Sequence, residues 1–142
     1  MSHSFALIAG TVLAAIGLLH VGWAFGVSPL SAAVIPTAAD GRPVMAPGRG
    51  LTLLVAALLF TAAWLVLERG GAGPGILSSR LAGIGSGGVA VALLGRGVGD
   101  FRHVGLFKRE RGSAFARMDS RLYTPLVLCL GAMAAVVAIR GG

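Results

Sequence analysis

Three observations predict an all-α fold, a four-span transmembrane helical bundle with a charged hairpin between helices three and four. Charged residues make up 12% of the chain, against about 25% in soluble proteins. The apolar residues, 56% of the total, are gathered in four blocks rather than spread as one amphipathic stripe. Seven of the twelve Lys and Arg residues lie between Arg96 and Arg121, wedged between the last two blocks.

The first span runs over residues 5–27 (FALIAGTVLAAIGLLHVGWAFGV). It is longer than the core of a secretory leader, and Met1-Ser2-His3-Ser4 supplies no basic flank, so it reads as a retained helix. The second span covers 51–67 and closes on Glu68-Arg69. The third covers 76–94, with Arg80 near its start and able to extend toward the headgroups. The fourth covers 122–139 and closes at Arg140. Each is near the ~20 residues that a helix needs to cross a ~30 Å hydrocarbon core. No block alternates apolar with polar, which excludes membrane strands. Residues 1–142 form one integral membrane domain.

Chain alternation puts the first and third loops on one side with nine cations, and leaves three on the other. The positive-inside rule assigns the nine to the cytoplasm and both termini to the outside. Residues 28–50 contain four of the six prolines, so no regular helix persists there, and the apolar run 32–36 is expected to fold back on the bundle. Small residues recur as Gly83, Gly87, Gly95 and Gly99 on the third helix, and as Gly10, Ala14, Gly22 and Gly26 on the first. Such stripes let helices approach closely, within the bundle or in a homo-oligomer.

Phe101, Val104 and Phe107 recur every three residues, which predicts that the third helix continues beyond the membrane or lies in its interface. Arg96, Asp100 and His103 would then share one helical face and pair. Lys108-Arg109-Glu110-Arg111-Gly112 reads as the turn. On the return limb Phe115, Met118 and Leu122 form an apolar stripe, with Arg117 and Arg121 flanking Asp119 on the polar side. Six arginines with three acids leave a net cationic site. Arginine's planar fork grips phosphate or carboxylate by two hydrogen bonds and stays charged at any relevant pH. The competing reading is a basic belt that sets topology and is held by its own ion pairs.

His20 and Trp23 are three apart on the first helix, and a histidine at membrane depth needs a partner. Either His20 serves a site or it is a neutral imidazole bonded to a neighbour, with Trp23 as an interface aromatic. Cys129 is the single cysteine and is expected as a small buried hydrophobe. His20 with His103 is too little to specify haem, so no cofactor and no metal is expected. No mid-span carboxylate, HExxH, P-loop, GxSxG or CxxC occurs. Ser28, Ser31 and Thr37 have no evident base beside them.

The stretch GRGVGDFRHVGLFKRERGSAFARMDSRLYTPLVL resembles the pattern of a bacterial four-helix membrane family, domain of unknown function 3995. The matching positions are Phe101-Arg102, Val104-Gly105, Phe107, Phe115-Ala116-Arg117, Asp119, Arg121, Tyr123 and Pro125-Leu126, with His20, Trp23 and Pro36 completing the set. His103 departs from an aromatic in that pattern, which argues against a role as base or ligand. Ala114 departs from an arginine. The resemblance implies a four-span bundle and brings no activity.

The leading functional expectation is a protein that binds an anionic lipid headgroup or small anion. Arg96, Arg102, Arg117 and Arg121 would form its cationic side, Asp100 and Asp119 would orient them, and Tyr123 would add a hydrogen bond. His20 and Trp23 would line the floor. The alternatives are a non-catalytic subunit or assembly factor of a larger membrane complex, and a lipid- or isoprenoid-modifying enzyme with His20 as proton carrier. The expected partners are membrane lipids, a second copy or another membrane protein, and not nucleic acid, because the cations adjoin bilayer-length segments.

Overall fold

The computed structural model describes residues 1–27, 34–36, 38, 42–44 and 47–141. Of the positions named above, Ser28, Ser31 and Thr37, and residues 32–33 of the apolar run, lie outside them. Four helices are long and apolar enough to cross a membrane. They are α1 (Ser2–Ala24), α2 (Arg49–Arg69), α3 (Ser79–Val98), and a continuous fourth made of α4 (Ala114–Met118), a π-helical turn (Asp119–Tyr123) and α5 (Thr124–Arg140). No strand occurs among the described residues.

α1 packs chiefly on α2, and α3 on α5, while α1–α5 and α2–α3 contacts close a four-cornered bundle. Its centre is small: Ala6, Ala9, Leu13, Ala63, Val66, Ala90, Leu130, Ala134 and Val137 are buried. Bulky side chains such as Leu18, Leu58, Ile84 and Val91 point outward. That inversion suits a helix whose outer face meets acyl chains, where burying leucine against protein gains little over lipid.

The glycine contacts follow the expected stripes only in part. Close approach uses Gly10 against Leu67, Gly17 against Phe60, Gly85 against Leu65, Gly97 against Leu128 and Gly131 against Leu94. Each glycine receives a leucine or phenylalanine from the neighbouring helix. Gly22, Gly26 and Gly95 meet nothing, and Gly99 lies beyond the helix. Of the expected stripes, Gly10, Gly83 and Gly87 do meet neighbouring helices, at Leu67, Arg69 and Ala138, and Ala14 packs on the core, while seven-residue spacing adds Gly17 to the face of Gly10. Cys129 is exposed rather than buried, because Leu130, Ala134 and Val137 occupy the inward face of α5.

Polar contacts tie the ends. The Arg69 guanidinium donates to Ala138 O at 3.2 Å, to Ser79 O at 3.1 Å and to the Ser79 hydroxyl. Glu68 accepts the N–H of Gly75 and of Leu77, which caps the short α2–α3 connection. Between the spans, buried Ser86 donates to Ala134 O at 3.1 Å.

The expected helical hairpin is only half helical. Its return limb continues into the fourth span, but α3 ends at Val98 and residues 99–113 form a compact irregular loop. Gly99 takes a left-handed φ of +93°, a conformation that ends helices and suits glycine. Asp100 then competes for backbone amides that a helix would use. Its Oδ1 accepts from the N–H groups of Arg102, His103 and Val104 at 2.9, 2.7 and 3.0 Å.

Candidate functional site

Asp119 organises this end of the bundle. Pro125 follows six positions later, and having no N–H it cannot donate to the carbonyl of Arg121. The helix absorbs this in the π turn, where the Thr124 N–H reaches back to Asp119 O. One extra residue in the turn rotates Asp119 inward, where its side chain is 0% exposed. Oδ1 accepts from Arg96 Nη2 at 2.8 Å. Oδ2 accepts from the Gly105 N–H at 2.9 Å, Lys108 Nζ at 2.9 Å and Thr124 Oγ1 at 3.1 Å. Lys108 also donates to Gly105 O at 3.1 Å. One carboxylate thus binds the end of α3, the loop and the start of α5 together.

Several sequence expectations change here. Arg96 pairs with Asp119 across the bundle and not with Asp100, because the helix that would have aligned Arg96 and Asp100 has already ended. Asp100 keeps His103, whose Nδ1 lies 3.5 Å from Oδ2, but within a turn. Burial pushes the Asp100 carboxyl up, and hydrogen bonds from the N–H groups of Val104, Arg102 and His103 outweigh it, lowering the pKa to about 2. Arg117 and Arg121 do not share Asp119 as a polar face: both are exposed, and Arg117 donates to Gly112 O at 2.9 Å. Lys108, the first residue of the expected turn, is buried. It is the principal residue that sequence reasoning missed, together with Gly105 and Thr124. Lys108 is the chain's single lysine among arginines, a signal that could have marked it.

The exposed face of the loop carries a second set of groups. The side chains of Arg102, Arg109, Arg111 and Arg121 are outward, and Phe101, Leu106 and Phe107 are exposed among them. Phe101 has φ +62°, a conformation costly for a bulky residue, and it stacks on Phe107 with ring centroids 6.1 Å apart. A cleft of about 110 Å³ beside the Asp119 network is lined by Lys108, Arg111, Ser120 and Thr124. Tyr123 packs on Phe115 at 6.0 Å between centroids.

His20 and Trp23 stand at the same end of the bundle but face the first loop. His20 Nδ1 donates to Ile16 O at 2.8 Å, so the imidazole bonds within its own helix, one turn back, and not to a neighbouring helix. The rings of His20 and Trp23 meet edge-on at 4.8 Å. With Ile35, Pro36, Pro47 and Thr52 they line a cavity of about 330 Å³, so the described part of the apolar run, Val34 to Pro36, does fold back on the bundle. This cavity shares no lining residue with the cleft beside Asp119. Among the described residues no three His, Cys, Asp or Glu side chains come together as a metal-binding group.

A family model described as "Protein of unknown function (DUF3995)" matches residues 13–134. The chain belongs to this family. The matched span of the DUF3995 protein runs from the middle of α1 to the inward face of α5 and takes in both the His20 cavity and the Asp119 network. No match was found among curated proteins or solved structures. The chain is a multi-pass membrane protein of the DUF3995 family.

Proposed function

We propose that this DUF3995 protein binds the anionic headgroups of membrane lipids, or small anions of the same chemistry, through the basic loop between α3 and α5. The observation that carries this reading is the division of the cations into two sets. Asp119 takes Arg96 and Lys108 inside, whereas Arg102, Arg109, Arg111 and Arg121 are exposed and make no side-chain hydrogen bond among the described residues. Exposed Phe101, Leu106 and Phe107 lie among those arginines. Apolar tips beside cations are what an interfacial segment needs to sit at headgroup depth. The rule of positive loops puts this face in the cytoplasm of a bacterial cell, where anionic lipids attract basic segments.

The reading as a subunit bound through glycine faces has less behind it, because Gly10, Gly17, Gly85, Gly97 and Gly131 are used inside the bundle. The reading as an enzyme rests on His20, whose cavity has no acidic or basic companion for it among the described residues.

The test is flotation of the purified protein, reconstituted in detergent-free discs, with soluble vesicles of phosphatidylglycerol or phosphatidylcholine. A variant with Arg102, Arg117 and Arg121 changed to Gln should lose its preference for the anionic vesicles while keeping its helical spectrum. An undiminished preference would remove this reading and favour the subunit, which then requires a stoichiometric membrane partner on purification.

A further inference from the structure

We propose that the groove between α2 and α3 holds one acyl chain of an anionic phospholipid, with the headgroup anion placed at Arg96. This rests on the headgroup-binding reading and adds a place for the chain. The groove has a volume of about 620 Å³ and runs from Leu65 and Gly85 at one end to Val55 and Arg96 at the other. Eleven residues of α3 separate Gly85 from Arg96, about 16 Å at 1.5 Å per residue, which is close to half of a ~30 Å hydrocarbon core. The groove is therefore as deep as one leaflet. Its floor includes Leu13 and Val89, and its outer edge is open to lipid at Leu58, Gly88 and Ala92, all exposed.

An apolar groove alone would accept any chain, and Arg96 distinguishes this one. Arg96 Nη2 is held by Asp119 Oδ1, but Nη1 is buried and has no partner among the described residues. A buried donor left unmade is costly; the Arg96 side chain as a whole is 35% exposed, and a modest turn of its guanidinium toward the groove brings Nη1 within reach of an acceptor there. The charges point the same way. Arg96 and Lys108 share the single carboxylate of Asp119, so the cluster retains one positive charge. A phosphodiester at the mouth of the groove supplies both the acceptor and the missing charge, while its chain follows the groove into the leaflet. Val55 also lines the His20 cavity, so the groove and that cavity adjoin.

Native mass spectrometry of the full chain, delipidated and then titrated with phosphatidylglycerol, phosphatidylcholine or glycerol phosphate, tests this. The informative variant fills the groove without touching Arg96: Gly88→Leu with Ala92→Leu. A side chain at Gly88 meets no atom within 4 Å at its Cβ, so the helix accepts it, and Gly88→Leu alone serves if the pair lowers helicity. The wild type should hold phosphatidylglycerol better than either other ligand, and filling the groove should weaken that binding about tenfold or more, the loss of several methylene contacts. Retention of phosphatidylglycerol by the filled variant at wild-type strength would overturn the groove site and leave the arginine rim standing. Loss in the filled variant, with full retention when Arg102, Arg117 and Arg121 are Gln, would support the groove and remove the rim. Phosphatidylcholine carries the same phosphodiester offset by a cationic choline, so its equal binding would overturn the anionic lipid as occupant and the charge balance given to Arg96 and Lys108. A dimer dispersed by groove filling would show a second copy there and overturn the lipid.

Discussion

Lys108 and Asp119 form an ion pair at 2.9 Å with side chains 3% and 0% exposed, and this contact joins an irregular loop to a transmembrane helix. Asp119 also holds Arg96, so the two cations depend on one anion. Removing the anion leaves both uncompensated in a site with little water.

Asp119→Ala should therefore destabilise the folded protein by about 3–5 kcal/mol, the range for breaking a buried pair from one side. Lys108→Met removes a charge that Asp119 can partly do without, because Arg96 remains, and should cost less. A double-mutant cycle on thermal unfolding in detergent should return a coupling of about 1–3 kcal/mol. Additive effects would mean that Lys108 and Asp119 do not interact.

Gly99 and Gly95 offer a matched comparison four residues apart. Gly99 has φ +93° and a Cβ there would run into Val104 O. Gly99→Ala should cost at least about 1–3 kcal/mol from the backbone conformation alone. Gly95 lies within α3, where a Cβ meets nothing, and Gly95→Ala should stabilise by roughly 0.5–1 kcal/mol. Unfolding midpoints that move in opposite directions are the expected result.

Asp100 makes the loop sensitive to acid. Its folded pKa of about 2 lies below the ordinary 3.8, so the carboxylate contributes stability above about pH 4. That contribution falls through this window and is gone below about pH 2. The side chain is half exposed, so the effect belongs to the loop rather than to global stability. Amide exchange at Arg102, His103 and Val104 should accelerate over that pH range, and Asp100→Ala should remove the pH dependence.

The exposed arginines should act on lipid binding and not on folding. Each basic group near an anionic surface contributes about 1 kcal/mol, so changing Arg102, Arg117 and Arg121 to Gln should weaken vesicle binding by up to about a hundredfold. The loss should shrink as salt rises. Thermal unfolding should move little, because Arg102 and Arg121 make no side-chain hydrogen bond among the described residues and the bond of Arg117 to Gly112 O is at an exposed site.

The family pattern was legible at Asp119, Tyr123 and Pro125, and the charge density of residues 96–121 marked the region before any contact was known. The partners were not legible. Helical spacing paired Arg96 with Asp100, and only the end of α3 at Val98 explains why that pair does not form. Lys108 sits within a run of charge that reads as solvated, and the carboxylate that buries it lies eleven positions on, beyond the end of the loop and all of α4. The glycine stripes were legible in part: Gly10, Gly83 and Gly87 meet neighbouring helices and Gly22, Gly26 and Gly95 do not, since spacings of four and seven place glycines on similar faces and the neighbouring side chains decide between them.

By itself the sequence determined four apolar spans, their alternation across a membrane and the end at which the cations collect. These follow from transfer of side chains and backbone into hydrocarbon, a property of each segment alone. Tertiary structure decided which cations are consumed and which are displayed, and which glycines are used. Those outcomes depend on the π turn that aims Asp119 inward and on the path of residues 99–113 around it. They arise because one buried carboxylate must be satisfied by whichever donors the packed chain brings within reach.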